Sequence, residues 1–546
     1  MSDGGGRGFD SGFLDVDLDL RVEWRTSLSL LGTIVKYLAA ALVPPLALGL
    51  YDGDWVGVLA FAVTALVAVL AGTALERLDP DPDLDPREAL LTVALTWLAA
   101  ASLGAVPFVL AGTGTISQPL NALFESMSGF TTTGATVMGS ISLDTHSRAI
   151  MLWRQEIQWL GGMGIVVLAV AILPELAVGG TQLMDAEAPG PGIQKLTPRI
   201  AETARALWIA YIGFTVLEFV LLYGLHLVGL APNMTLFNAI SHPLTTMPTG
   251  GFSPEARSIE AFAPIVQWVI IPFMIVAGTN FALIWGATHG EGSVLGEGGL
   301  FGDEGVLGPE GAFRGDSEFR AYAGVLAVLS ALATVLLFTD PGLTDVENVG
   351  RVTGALEPAL RHGTFQVVSI VTTTGYASLD FTAWSEPARY LLLFVMFIGG
   401  SAGSTGGAVK IVRWVVIVKT LRRELFRTVH PEAIRPVRLG GRPVDERGIE
   451  GIFAFTLIYF VAFFVATGVV LVDTQVAGTP LGVFGAMSAI AATLGNVGPG
   501  FGVVGPMGSY LSLPPLSKLL MVGLMWLGRL EIIPVLVLLT GAYWRS

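Results

Sequence analysis

The chain is written as long apolar runs separated by short polar stretches, and ten of the runs approach the roughly 20 residues that carry a helix across a bilayer. They fall at residues 28–51, 55–75, 89–112, 149–173, 206–230, 261–288, 321–338, 390–418, 449–472 and 516–543. An even number of crossings places both termini on one side. Four shorter apolar stretches, at 120–130, 235–245, 357–371 and 481–492, lie between the members of the last four pairs of runs. They are too short to span and suit re-entrant helices. Local signals agree: Pro119 after Gln118, Pro358 after Glu357, and Thr479 before Pro480 read as helix starts. The first two runs have no such partner and form an extra hairpin. The pattern predicts an all-α polytopic membrane protein of ten spanning helices plus four re-entrant pore helices. Its divisions are a cytoplasmic tail (1–27), an N-terminal helix pair (28–88) and four units of helix, short helix, extended segment and helix (89–202, 203–318, 319–448 and 449–546).

Each short stretch runs into a threonine- or glycine-rich motif: SGFTTTGATVM at 128–138, LTTMPTGGFS at 244–253, SIVTTTGYAS at 369–378 and AATLGNVGPGFG at 491–502. With Gly134, Gly250, Gly375 and Gly498 taken as equivalent, the spacings are 116, 125 and 123 residues, a repeat that covers most of the chain. Non-helical backbone at membrane depth is tolerated only where protein or a water-filled cavity surrounds it. Four such segments facing one axis make a ring of carbonyls that can replace the hydration shell of a monovalent cation. Glycine supplies backbone angles that other residues adopt only with strain. Threonine adds a hydroxyl oxygen and a stiff branched side chain. The short helices, aimed inwards at their C-termini, add partial negative charge that favours a cation. The residues placed on the ring are Thr132, Thr133 and Gly134; Thr249 and Gly250; Thr373, Thr374 and Gly375; and Asn496, Val497 and Gly498.

Composition supports a membrane protein: 546 residues, 52% hydrophobic and 14% charged, with a mean hydropathy of +0.67. Orientation follows from Lys and Arg. Of the 30 basic residues, 21 fall on the cytoplasmic side if the termini are cytoplasmic, six lie outside and three (Lys36, Arg154, Arg529) lie within the membrane. Ten of the 21 cluster at 410–447. The net charge of −14 comes from the N-terminal tail and from acidic loops at 79–85 and 297–310, which are either solvated loops or, as we favour, an adaptation to molar salt in a halophile. The absence of cysteine excludes disulfides, thiolate metal sites and cysteine nucleophiles, and the six histidines show no metal-ligand spacing. No basic, apolar leader of the secretory type opens the sequence. A membrane enzyme is disfavoured because no HExxH motif or intramembrane carboxylate pair is present.

The four motifs, together with QWLGGMGI at 158–165, GGSAGSTGGAVK at 399–410 and GRLEIIP at 528–534, resemble the TrkH branch of the Trk/Ktr/HKT superfamily of potassium transporters over residues 28–543. The resemblance implies K⁺ as the transported ion, with no cofactor bound by the chain, because glycine stands in all four filters. Its alternatives are a Na⁺-permeable protein or a cation-coupled symporter. The resemblance also implies a homodimer and a cytoplasmic TrkA-type RCK subunit that binds nucleotide, for which the basic segment 422–447 is the candidate docking surface. Pro248 departs from the filter pattern, and a local change of shape is expected there.

Below the ring, the run at 390–418 is interrupted by Gly399, Gly400, Ser401, Ala402, Gly403, Ser404, Thr405, Gly406 and Gly407. A glycine-rich break is either a packing kink or a mobile loop that blocks the inner cavity, and the resemblance implies a gating loop. Arg529 is expected about midway along the last spanning helix, where an unpaired charge costs at least about 2.5 kcal/mol. It either pairs with another helix or, as the resemblance favours, projects into the path; Glu531, two residues on, would point away from it on a helix. Glu125 resembles a filter-supporting acid that binds backbone N–H groups behind the first motif. Arg154 and Glu156 are read as structural. Asp144 and Asp380 are read as outer acids, either concentrating cations at the mouth or simply solvated.

Overall fold

The computed structural model describes residues 22–79, 86–167, 197–289, 313 and 315–545. Most of the acidic tail, the loop at 80–85, the loop at 297–310 and the end of the run at 149–173 lie outside the described residues. Among the described residues the regular structure is helical apart from a minimal hairpin, Arg438–Leu439 with Arg442–Pro443. An N-terminal hairpin consists of α1 (Trp24–Ala41), α2 (Val43–Asp52) and α3 (Trp55–Glu76), in which Gly32 and Gly72 let α1 and α3 touch backbone to backbone. It packs on α4 (Pro86–Ala111).

Around one apolar core are set α5 (Pro119–Phe130), α6 (Arg148–Val167), α7 (Thr197–Leu227), α8 (Leu236–Ser241) and α9 (Pro243–Thr246). Next come α10 (Pro264–Ala277), α11 (Phe281–His289), α12 (Ser317–Thr339), α13 (Leu356–Val371), α14 (Glu386–Val395) and α15 (Ile411–Val429). The chain closes with α16 (Glu446–Val476), α17 (Val483–Leu494), α18 (Pro515–Arg529), α19 (Ile533–Leu538) and α20 (Gly541–Arg545). The short buried helices are α5, the α8–α9 pair, α13 and α17, each followed by one of the threonine/glycine motifs.

Six helical stretches among the described residues are long and apolar enough to cross a membrane, or seven if α10 and α11 count as one span bent by 99°. The ten continuous spans expected from hydropathy are therefore not all continuous. The run at 261–288 breaks at Gly278–Asn280, and the run at 390–418 is two helices joined by 396–410. The run at 516–543 breaks after Arg529, where Glu531 and Ile532 take positive φ angles of 64° and 55°. Hydropathy registers apolar length, not whether the i to i−4 ladder persists, so broken helices read as whole ones. Helix starts shift as well. Pro119 does occupy the first turn of α5, but α13 begins one residue before Glu357 and α17 begins at Val483 behind Gly482 rather than at Thr479–Pro480.

Candidate permeation site

The four motifs leave their short helices along one backbone path. The turns are residues 131–134, 248–251, 372–375 and 495–498. The second residue of each, Thr132, Thr249, Thr373 and Asn496, has φ between 52° and 57°, and the fourth, Gly134, Gly251, Gly375 and Gly498, has φ of 79°, 75°, 78° and 104°. The third residue of each donates its N–H to the carbonyl five residues back: Thr133 to Ser128, Gly250 to Thr245, Thr374 to Ser369 and Val497 to Ala492, at 2.8–2.9 Å. This register corrects the assignment of Gly250 as the equivalent of Gly134. Gly250 stands where Thr133 stands, and Gly251 carries the left-handed backbone. Pro248 stands where Thr131, Thr372 and Gly495 stand but offers no N–H to the end of α9, and this hides the one-residue offset in the sequence.

The turns meet in a closed cycle. A Cβ on Gly134 would stand 2.2 Å from the Gly250 carbonyl oxygen, one on Gly251 1.9 Å from that of Thr374, one on Gly375 2.1 Å from that of Val497, and one on Gly498 2.5 Å from that of Thr133. First meets second, second meets third, third meets fourth and fourth meets first. No side chain fits at any of these junctions, which is the physical need for glycine. Side chains reinforce the joins: Asn496 donates to the Thr133 hydroxyl at 2.9 Å, and Tyr376 Oη donates to the His242 carbonyl at 3.0 Å.

Polar groups behind the turns fix their shape. Glu125 is fully buried and accepts from the Thr136 hydroxyl and from the Val137 N–H, both at 2.9 Å. It also binds Arg154 Nε at 2.7 Å, and Arg154 donates to the Ser253 carbonyl and lies 3.6 Å from the Phe252 ring centroid. Arg154 thus bridges the first and second turns, a structural role with a position in the site that its sequence neighbourhood did not disclose. Gln158, also on α6, holds the second turn, donating to the Gly250 carbonyl at 2.7 Å and accepting from the Phe252 N–H at 3.1 Å. His242 and Gln366 occupy the place of Glu125 in the second and third repeats, three residues before the shared acceptor carbonyl. They bind Ser253 Oγ (3.1 Å) and the Tyr376 carbonyl (3.1 Å). Counting back from the aligned motifs would have found both.

At one end of the cycle lies the segment 399–407, drawn into a neck by Gly399 N–H to Val409 and Ile411 N–H to Gly400. It seats in the break between α10 and α11. Ser401 donates to the Gly278 carbonyl at 2.9 Å, Phe281 donates to the Gly403 carbonyl at 3.2 Å, and the Thr405 hydroxyl lies 3.1 Å from the Met247 and Ala277 carbonyls. Gly407 N–H donates to the Thr373 hydroxyl at 2.7 Å, and Glu318 accepts from the Ala402 N–H at 2.6 Å. The Lys410 ammonium binds the Gly406 carbonyl. The segment is therefore a bonded plug, each broken backbone satisfying the other.

Arg529 is the last residue of α18, not a mid-helix residue. It is buried and donates to the carbonyls of Thr405 (2.8 Å) and Gly161 (3.2 Å), joining the plug to α6. The turn that follows releases Glu531 from helical geometry, and Glu531 binds Arg413, which stacks 3.7 Å from the Phe455 ring centroid. Asp144 and Asp380 lie outside the cavity at the other end of the cycle; Asp380 caps its own turn at the Thr382 N–H. No group of three or more His, Cys, Asp or Glu side chains suited to a metal ion occurs among the described residues.

Membrane-length helices enclosing four converging turns define a multi-pass membrane transport protein. Residues 59–546 match the family model described as TrkH, cation transport protein, and the chain belongs to that family, a family of transporters rather than enzymes. The chain is 35% identical over 533 residues to the Trk system potassium uptake protein TrkH of Salmonella typhimurium, covering 96% of this chain and 100% of the relative. It is 36% identical to the protein of that name from Halomonas elongata, covering 96% and 99%. The crystal structure of the potassium transporter TrkH from Vibrio parahaemolyticus matches with a TM-score of 0.80 at 32% identity, covering 96% of this chain and 100% of that one.

Proposed function

We propose that the chain carries K⁺ across the cell membrane through a filter made by Thr132–Gly134, Thr249–Gly251, Thr373–Gly375 and Asn496–Gly498. The observation that carries this reading is the closed cycle, in which each glycine abuts the carbonyl of the next turn. Backbone oxygens held at fixed spacing by buried bonds are suited to replacing a cation's water. The four repeat units each supply one turn. Segment 399–407 acts as the gate because it fills the inner end of the cycle through bonds that can be exchanged, and Arg529 sets its closed position. Both termini are cytoplasmic, the protein pairs as a homodimer, and a TrkA-type RCK subunit docks on the basic segment 422–447, where Arg422, Arg427 and Arg435 are exposed.

The test is K⁺ against Na⁺ flux in liposomes. Gly134→Ser places a side chain 2.2 Å from the Gly250 oxygen. It is expected to lower K⁺/Na⁺ discrimination at least about tenfold, the equivalent of roughly 1.4 kcal/mol. Unchanged selectivity overturns the filter, and wild-type flux of Na⁺ equal to that of K⁺ replaces K⁺ uptake by the Na⁺-permeable alternative.

A further inference from the structure

The end of the cycle opposite the plug opens into a cavity lined by Gly134, Gly251, Gly375 and Gly498 and by the residues that follow each turn. Its lining holds two charged side chains, Arg154 and Glu255. Arg154 contributes no net charge there, because its guanidinium is bound to Glu125 at 2.7 Å. Glu255 makes no ion pair among the described residues. Its carboxylate accepts from Asn238 Nδ2 at 2.9 Å, its own N–H donates to Ser253 Oγ at 3.1 Å, and the nearby Arg257 is committed to Glu260 at 2.8 Å. The side chain is half-buried and anchored by a neutral amide, so its carboxylate is held at a fixed place on the wall.

We infer that Glu255 is the affinity-setting residue of the outer mouth, a carboxylate that concentrates monovalent cations beside the second turn before they lose their water. The inference rests on the filter reading above. A cleft with low-dielectric walls focuses the field of a single charge, and the effect falls as salt screens it. The sequence offered Asp144 and Asp380 for this role; the fold instead brings round an acid three residues after Phe252, on the arm that Asn238 ties to the start of α8. The site is offset towards one of the four turns, so cations approach the cycle from one side.

The experiment measures K⁺ uptake against K⁺ concentration in liposomes at low ionic strength for wild type, Glu255→Gln, Glu255→Asp and Gly134→Ser. Glu255→Gln is expected to raise the half-saturating K⁺ concentration about three- to tenfold. Glu255→Asp should recover most of the shift, and choline chloride at about 1 M should erase the difference, because the Debye length there is about 3 Å. A Glu255→Gln curve with unshifted half-saturation overturns the inference, and so does a fall in maximal rate without a shift, which marks a merely structural residue. The parallel Gly134→Ser measurement separates the two readings. Lost selectivity there with no shift in Glu255→Gln removes Glu255 alone, whereas retained selectivity removes the filter reading on which it rests.

Discussion

A β-branched residue at positive φ is strained by about 1–3 kcal/mol, yet Thr132, Thr249 and Thr373 all hold that conformation within 5° of one another. The strain persists because bonds on both sides determine the backbone: the N–H of the following residue reaches back five positions, and the glycine two residues on closes against the next turn. Gly251 shows how little freedom remains, since a methyl group there would meet the Thr374 oxygen at 1.9 Å from a backbone at φ 75°. Gly251→Ala is therefore expected to cut K⁺ flux more than about tenfold, by strain of at least roughly 1.4 kcal/mol in the conducting geometry. Gly224→Ala, in α7 with nothing within 4 Å, should leave flux and melting temperature near wild type. Equal flux in the two variants would remove Gly251 from the cycle. The sequence displayed the threonines and glycines but not their register in the second repeat, because register is set by hydrogen bonds to carbonyls and Pro248 cannot make the one its counterparts make. Glu125 was legible as an acid in an apolar helix. Its partner Arg154 was not, since the two stand 29 residues apart and only the packing of α5 on α6 brings them to 2.7 Å.

At the scale of elements, the plug and the bent helix are one device. Segment 399–407 and the break at Gly278–Asn280 each expose backbone groups that neither could leave unpaired at membrane depth, and each supplies the other's partners. The interruption at 399–407 was plain from its five glycines. The matching break in α10–α11 was hidden, because Gly278, Thr279 and Asn280 are three residues inside a long apolar run and leave its mean hydropathy high. The third break, after Arg529, was hidden for the same reason, which is why Arg529 was placed on a continuous helix. Its real position gives it two carbonyl acceptors, one on the plug and one on α6. A hydrogen bond from a charged donor is worth about 1.5–3 kcal/mol, so removing both favours release of the plug. Arg529→Ala is expected to raise uptake by roughly tenfold, and Thr405→Val, which loses contact with the Met247 and Ala277 carbonyls, should act in the same direction. Single-liposome flux or planar-bilayer open probability reads this directly; a decrease in either variant would mean that the plug is not what these bonds restrain.

At the scale of the whole molecule, the fourfold plan is strict in the backbone and loose in the side chains that support it. The positions behind the turns are Glu125, His242, Gln366 and Ala489, and a proline or a glycine may begin a turn. Closure of the cycle constrains the turns themselves, whereas any group that satisfies the buried polar atoms will serve behind them. Charge is distributed by a different rule. The membrane-embedded cations are each matched to a carboxylate or to carbonyls, while the net charge of −14 belongs largely to tail and loops. Self-repulsion among those acids destabilises the folded state in dilute salt, and raising the salt from about 0.1 M to 1 M shortens the Debye length from about 10 Å to about 3 Å. The halophile reading thus predicts a melting temperature in detergent that rises by several degrees over that range, with most of the gain complete by about 1 M. Screening and ion binding can be separated by the choice of cation. Choline is too large to replace its water with the oxygens of the cycle, so choline chloride should give nearly the full rise. On the proposed filter, K⁺ is expected to stabilise additionally by mass action, with a dependence on its concentration that saturates early. A rise seen with KCl and absent with choline chloride would assign the whole effect to the permeation site and leave the acidic surface without a role in stability.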